Sequence, residues 1–381
     1  MPARLAAILA IASMVACGTT TTATPATPPS AATVTDLTPY FGSYATDDGD
    51  VVVIARMGWF FDMRTADYRT IYATGSSDHF TIGRTFEGAL PEFAGLVFGQ
   101  GRLTITEAGR TRTGRRVDYT RTDVTIPAAN AQLAATITEP LTRGPHPAIV
   151  IVHGSERGQR HIYDVWVGIY ARTGITVLTY DKRGIGESTG TNPGEYPSEA
   201  ALITYADDAA AARDFLSRRP GVDPRRVGFH GGSQGGWTLP LAMQRHPGAA
   251  FAVLVSAPAT TVDQTDLWAS LSGSDERSPS EATMAAVRSM HSGYDPAPAL
   301  RAMAAPALWL LGTNDRTVPT AVCIEIIDSL HKPNFTVQQL PTGHALLVNP
   351  TGLAADDARS SRLAPQLVPT MRTWLAKVLA L

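Results

Sequence analysis

Cysteine is almost missing from this 381-residue chain, which holds only Cys17 and Cys323. A disulfide framework is thereby excluded: with Cys17 at the end of an apolar leader, Cys323 has no partner and reads as a buried structural thiol. Lysine is scarce as well, with Lys182, Lys332 and Lys377 the only three among 32 basic residues. No basic run or basic helix stripe is visible, and a net charge of -2 with 17% charged residues gives no electrostatic case for nucleic acid or an anionic surface. Long hydrophobic runs are absent too. The apolar stretch over residues 5–16 falls short of the ~20 residues that a bilayer span requires. What remains is an ordinary globular composition, 44% hydrophobic, long enough for one large or two medium domains.

The first seventeen residues, MPARLAAILAIASMVAC, place Arg4 ahead of that short apolar stretch and a small residue just before Cys17. This is the pattern of a secretory signal. Its end, MVAC followed by Gly18, resembles the lipobox of bacterial lipoproteins, with Met14 where leucine is commonest. The resemblance implies that Cys17 is acylated, becomes the mature terminus and anchors an exported protein in the cell envelope; plain signal cleavage and secretion is the alternative. Residues 18–33 are rich in Thr and Pro and read as a tether.

Over residues 34–121, short alternating runs such as DVVVIARMGWFF, FTIGRTF and GRLTITEAG are separated by Gly, Asp and Ser, which predicts a small all-β domain. No phosphate loop, metal-spaced cluster or fixed repeat marks it with a function. From residue 122 the texture changes. TDVTIPAANAQLAATITEP reads as two strands joined by a turn, and six nearly continuous apolar runs follow: AIVIVHG, ITVLTYD, RVGFHGG, AAFAVLVSA, ALWLLGT and NFTVQQLP. Such runs suit parallel strands covered on both faces. Between the second and third, Leu202, Tyr205, Ala209, Ala212 and Leu216 recur at helical spacing, with Ser198 as the expected N-cap. The reading for 122–381 is a doubly wound, mostly parallel α/β sheet carrying a short cap insertion at 257–305.

Ligands and chemistry in such sheets gather at the carboxyl ends of the strands. There the segment FHGGSQGGW puts Ser233 between Gly231 and Gly235 in a G-x-S-x-G pattern, after a strand and before a helix. A sharp strand–turn–helix elbow needs small neighbours, which accounts for Gly231, Gly232, Gly235 and Gly236; Pro240, inside the following helix, should kink it. A serine hydroxyl needs a base held by a third group. Of the four histidines after Ser233, His246 and His331 sit at expected helix ends and His291 follows no strand, whereas His344 lies in a Gly-bearing loop after the last strand. Asp315, in the loop that follows the strand of LWLLGTNDRTVP, is the expected acid, ahead of Asp263, Asp266 and Asp295. The amides of Gln234 and, in the loop HGSERG, Ser155 are the expected oxyanion donors. His153 should brace that loop, having no further ligands at metal spacing. LTYDKRGIGESTG has Gly184 and Gly186 but Thr189 in place of the third glycine of a dinucleotide fingerprint, and an Asp181–Arg183 ion pair is expected to shape it.

HGS, YDKRGIGES, GGSQGG, GTNDRTVP and GHA, in this order, resemble the α/β-hydrolase superfamily, within it the bacterial secreted branch related to serine aminopeptidases and dienelactone-hydrolase-like esterases. The resemblance covers residues 122–381 and implies a Ser233–Asp315–His344 triad without a cofactor. A small acyl ester is the expected substrate, a short peptide the nearest rival, and a non-catalytic binding lipoprotein the reading from another class. A membrane is expected as a partner only through the lipid anchor.

Overall fold

The computed structural model describes residues 37–381 except 90, 195 and 274–278. The leader with Cys17, the tether, and Asp275 and Glu276 of the insertion lie outside the described residues.

The amino-terminal region is a closed antiparallel barrel. Its strands are β1 (Gly42–Thr46), β2 (Val51–Ile54), β3 (Trp59–Asp62), β4 (Tyr68–Ala73), β5 (His79–Gly83), β6 (Glu92–Gly99), β7 (Arg102–Glu107) and β8 (Arg110–Val117). Each pairs with the next, and β1 closes the ring on β8 through Ser43 opposite Val117. The two-residue period of a strand sends Ala94, Leu96 and Phe98 of β6, and Leu103 and Ile105 of β7, into one buried cluster with Val52, Ile54, Ile71 and Ile82. An eight-stranded ring is just wide enough for such side chains to fill it. This barrel is therefore a packed core.

The remainder is a single sheet with helices on both faces. Strands β9 (Thr120–Ala128), β10 (Ala131–Glu139), β11 (His146–Val152), β12 (Thr176–Tyr180), β13 (Val222–Gly232), β14 (Ala252–Val255), β15 (Ala307–Gly312) and β16 (Phe335–Leu340) lie in the order β16-β15-β14-β13-β11-β12-β10-β9. Pairing is parallel from β12 to β16, while β9 and β10 join antiparallel. The chain reverses its direction of winding at β11, which lies between β12 and β13.

Continuous apolar runs serve both faces at once. Val150 and Trp309 face the layer formed by α2 (Glu199–Ser217), α3 (Gly235–Arg245) and α7 (Thr320–Ser329), whereas Ile149, Ile151, Leu308 and Leu310 face α1 (Asp164–Arg172) and α9 (Leu367–Leu379). Ser198 caps α2 by accepting the Ala201 N–H at 3.3 Å, and all five periodic residues of that helix are buried. Helix α3 continues through Pro240 as one element. The insertion folds into α4 (Val262–Ser272), α5 (Glu281–Ser289) and α6 (Ala297–Ala302).

The barrel docks on the α1/α9 face. Val53, Phe61 and Phe86 join the core of that layer, and a Cβ on Gly168 of α1 would lie only 2.6 Å from Val53 Cγ2. Asp164, at the start of α1, accepts from Arg56 three times: from the backbone N–H at 2.9 Å, Nε at 3.0 Å and Nη2 at 2.7 Å. A second set of bonds reaches the long loop between β16 and α9, which contains the short α8 (Ala354–Asp357). There Tyr68 N–H donates to Ser361 O at 2.8 Å, Glu87 N–H to Ala358 O at 3.0 Å, and Leu363 N–H to Ala66 O at 3.0 Å.

Candidate active site

Ser233 stands between β13 and α3 with φ of 50°, a left-handed conformation that an L-residue holds at a cost of about 1–2 kcal/mol. Its N–H donates to Val255 O at 3.2 Å, which fixes the turn to the neighbouring strand. The glycines around it are not equivalent. A Cβ on Gly231 would lie 2.8 Å from Leu239 Cδ1, and one on Gly236 would strike the Pro258 carbonyl, so α3 closes onto the sheet only through these two. Gly235 faces open space and is not sterically required, contrary to the sequence expectation.

The parallel strands β13, β15 and β16 end at the same edge, and this edge carries Ser233, Asp315 and His344. His344 is buried, and its Nδ1 lies 2.8 Å from Asp315 Oδ2. Asp315 is held in turn, since its Oδ1 accepts the N–H groups of Thr317 at 2.7 Å and Val318 at 2.8 Å. The indole N–H of Trp268, on α4, donates to the Asp315 carbonyl at 3.1 Å and ties the insertion to this corner. With Nδ1 engaged by a carboxylate, the ring is held as the tautomer whose Nε2 carries the lone pair. Nε2 is buried and has no hydrogen-bond partner among the described residues.

Burial opposes the charged form of His344, yet the charge and hydrogen bond of Asp315, with Asp357 beyond, hold its pKa above the ordinary histidine value. Asp357 closes α8. Burial pushes its carboxyl up to about 6, although Asn349 Nδ2 donates to Oδ1 at 2.8 Å and His344 draws it down. Nothing in the sequence pointed to Asp357, because the loop that returns it to His344 has no periodicity.

The rival acids are placed elsewhere. Asp263 accepts from Ser292 Oγ at 2.5 Å and Tyr196 OH at 3.3 Å, and Asp295 accepts the Ala297 N–H at 2.8 Å. Asp266 is pushed to about 6 by burial and by neighbouring Asp263. Of the other histidines, His246 meets Asp207 Oδ1 at 2.7 Å beyond the end of α3, His331 takes a φ of 50° just past α7, and His291 is exposed.

The loop after β11 lies against the serine, since a Cβ on Gly154 would be 3.5 Å from Ser233 Cβ. Among the described residues, the backbone N–H groups of Ser155 and Gln234 donate to no acceptor. The loop is heavily braced. His153 Nε2 lies 2.5 Å from Tyr180 O, while Glu156 Oε1 receives Tyr163 OH at 2.5 Å and the Gly154 N–H at 3.2 Å. Burial raises the Glu156 pKa, but His153, Lys182 and Tyr163 together hold it below the usual carboxylate range. Lys182 Nζ donates to Gly154 O at 2.8 Å and to Glu156 O at 3.2 Å. The expected Asp181–Arg183 pair does not form. Asp181 instead takes Arg160 Nη1 at 2.6 Å, and Arg183 takes Asp208 Oδ1 at 2.5 Å, because the two side chains leave the strand end toward different layers.

A family model described as the prolyl oligopeptidase family matches residues 165–346. An uncharacterized protein of Mycobacterium tuberculosis is 27% identical over 206 residues, covering 53% of this chain and 64% of that relative. Thiohydrolase aneE of Aspergillus aculeatus is 34% identical over 92 residues, 24% of this chain and 28% of that one. The chain therefore spans less than two thirds of the length of these relatives. Among solved structures, the α/β hydrolase GrgF from Penicillium sp. sh18 superposes with a TM-score of 0.50 at 17% identity, covering 69% of this chain and 100% of the other. The sheet order, the elbow after β13 and the superposition on GrgF show that the chain has the α/β-hydrolase fold.

Proposed function

We propose that the protein is a serine hydrolase that cleaves carboxylic esters through an acyl-enzyme. The observation that carries this reading is the division of His344: Nδ1 is bound to Asp315 at 2.8 Å, while Nε2 is buried and, among the described residues, has no partner at the edge that carries Ser233. In this mechanism Ser233 Oγ attacks the acyl carbon as His344 Nε2 takes its proton, and Asp315 steadies the imidazolium. The developing oxyanion accepts the N–H groups of Gln234 and Ser155. His344 then protonates the leaving alcohol, and a water activated by the same nitrogen hydrolyses the acyl-enzyme.

A fluorophosphonate probe tests the nucleophile: the full chain should be labelled and Ser233→Ala should not. Absence of labelling in the parent would favour a non-catalytic binding protein. A second reading, a peptidase acting on short peptides, draws support from the prolyl oligopeptidase match. Turnover of p-nitrophenyl esters against aminoacyl anilides separates the two. We also infer that Cys17 is lipidated and anchors the protein at the cell envelope, which rests on the MVAC sequence alone.

A further inference from the structure

Lysine is nearly absent from this chain, yet one of its three lysines is buried beside the candidate active site. Lys182 is 3% exposed and lies two residues beyond the end of β12. Its ammonium donates to Gly154 O at 2.8 Å and Glu156 O at 3.2 Å, the carbonyls on either side of Ser155, and lies 4.4 Å from the centre of the Tyr205 ring. Burying a cation is costly unless its donors are satisfied, so the position demands a reason beyond packing.

We propose that Lys182 is a positioning residue for the oxyanion donor at Ser155. Gly154 C=O and Ser155 N–H belong to one planar trans peptide and point in opposite directions. Holding the carbonyl on Lys182 therefore turns the N–H away from the lysine and fixes where it points. The second carbonyl stops the peptide from rotating about the first contact. A positive charge on the carbonyl oxygen also draws electron density from the peptide nitrogen, which strengthens its N–H as a donor to an oxyanion. Glu156 completes the frame from the other side by accepting the Gly154 N–H at 3.2 Å. Among the described residues, the N–H of Ser155 itself stays unclaimed.

This inference rests on the proposed esterase reading, and its test separates the two. An aryl acetate and its thionoester, in which C=S replaces C=O, are compared in the purified full chain. Sulfur is the poorer hydrogen-bond acceptor, so the ratio of the two rates reports the oxyanion donors and not the general condition of the site. Wild type should prefer the oxygen ester strongly. Lys182→Met should lose about 10²-fold in kcat on the oxygen ester, with KM little changed and much less loss on the thionoester. The rate ratio then collapses. Should Lys182→Met fail to fold by circular dichroism, Lys182→Gln, uncharged and one atom shorter, decides the matter with the same expected fall in ratio. A folded variant that keeps the wild-type ratio overturns the proposal, as does an active wild type that treats both esters alike. A wild type without turnover on the oxygen ester overturns the esterase reading instead.

Discussion

Asp315 turns one carboxylate oxygen to the imidazole of His344, at 2.8 Å, and commits the other to two backbone N–H groups of its own loop. An asparagine at this position has only one acceptor oxygen, and those two backbone donors would claim it. Its NH2 would then face His344 Nδ1, which could only accept, so the proton would move to Nε2. In that tautomer the ring has no lone pair for Ser233. Asp315→Asn should therefore fold normally and lose roughly 10⁴-fold in kcat. Steady-state ester hydrolysis measures this, and a loss below tenfold would mean that the acid lies elsewhere.

The acid limb of the pH profile should lie above the ordinary histidine value of ~6.5, because turnover needs neutral His344 and Asp315 and Asp357 favour its charged form against burial. Asp357→Asn removes one of these charges, so kcat/KM should fall at a lower pH than in wild type. The stabilising effect of protonated His344 has the matching sign. It is complete below the unfolded pKa and is lost as pH rises through the raised folded value. A superimposable pair of pH–rate profiles would show that Asp357 does not act on the base.

Removing the charge that joins barrel to sheet should be felt as stability. Asp164→Asn weakens three contacts with Arg56, whose guanidinium also lies 4.2 Å from the centre of the Phe41 ring. A loss of about 3 kcal/mol is expected, the low end for a broken buried pair, since the Arg56 side chain keeps 16% exposure. Urea unfolding measures it; a change within experimental error would mean that apolar packing alone seats the barrel.

If Cys17 carries a lipid, the parent chain should sediment with membranes and Cys17→Ser should remain in the soluble fraction. Equal partitioning of the two would leave simple secretion.

The parallel sheet was legible because each strand is a compact apolar run with a turn at its end, and α2 because its buried residues keep the helical period. Strand ends also directed attention to Asp315 and His344, which the fold brings into contact. The barrel was legible only as strands. Alternation reveals which side of a strand is buried but not its partner, and closure depends on β1 meeting β8 across the whole region. Pairing of charges failed for the same reason. Asp181 and Arg183 are close in sequence, but their partners, Arg160 and Asp208, come from separate layers that only the folded topology brings near. Lys182, set between them, was visible as a rare residue, but nothing local said that it reaches back to Gly154 and Glu156.

The backbone bonds between Tyr68 and Ser361, and between Glu87 and Ala358, join the two ends of the described chain. During synthesis the barrel emerges well before the loop it must grip. Contacts of such long sequence separation form slowly, after most of the loop-closure entropy has been lost. The loop that carries His344 is therefore backed by a region of the chain made long before it, and its seating depends on these long-range bonds. A chain cut short before residue 344 would keep the elbow at Ser233 while lacking both His344 and its seam with the barrel.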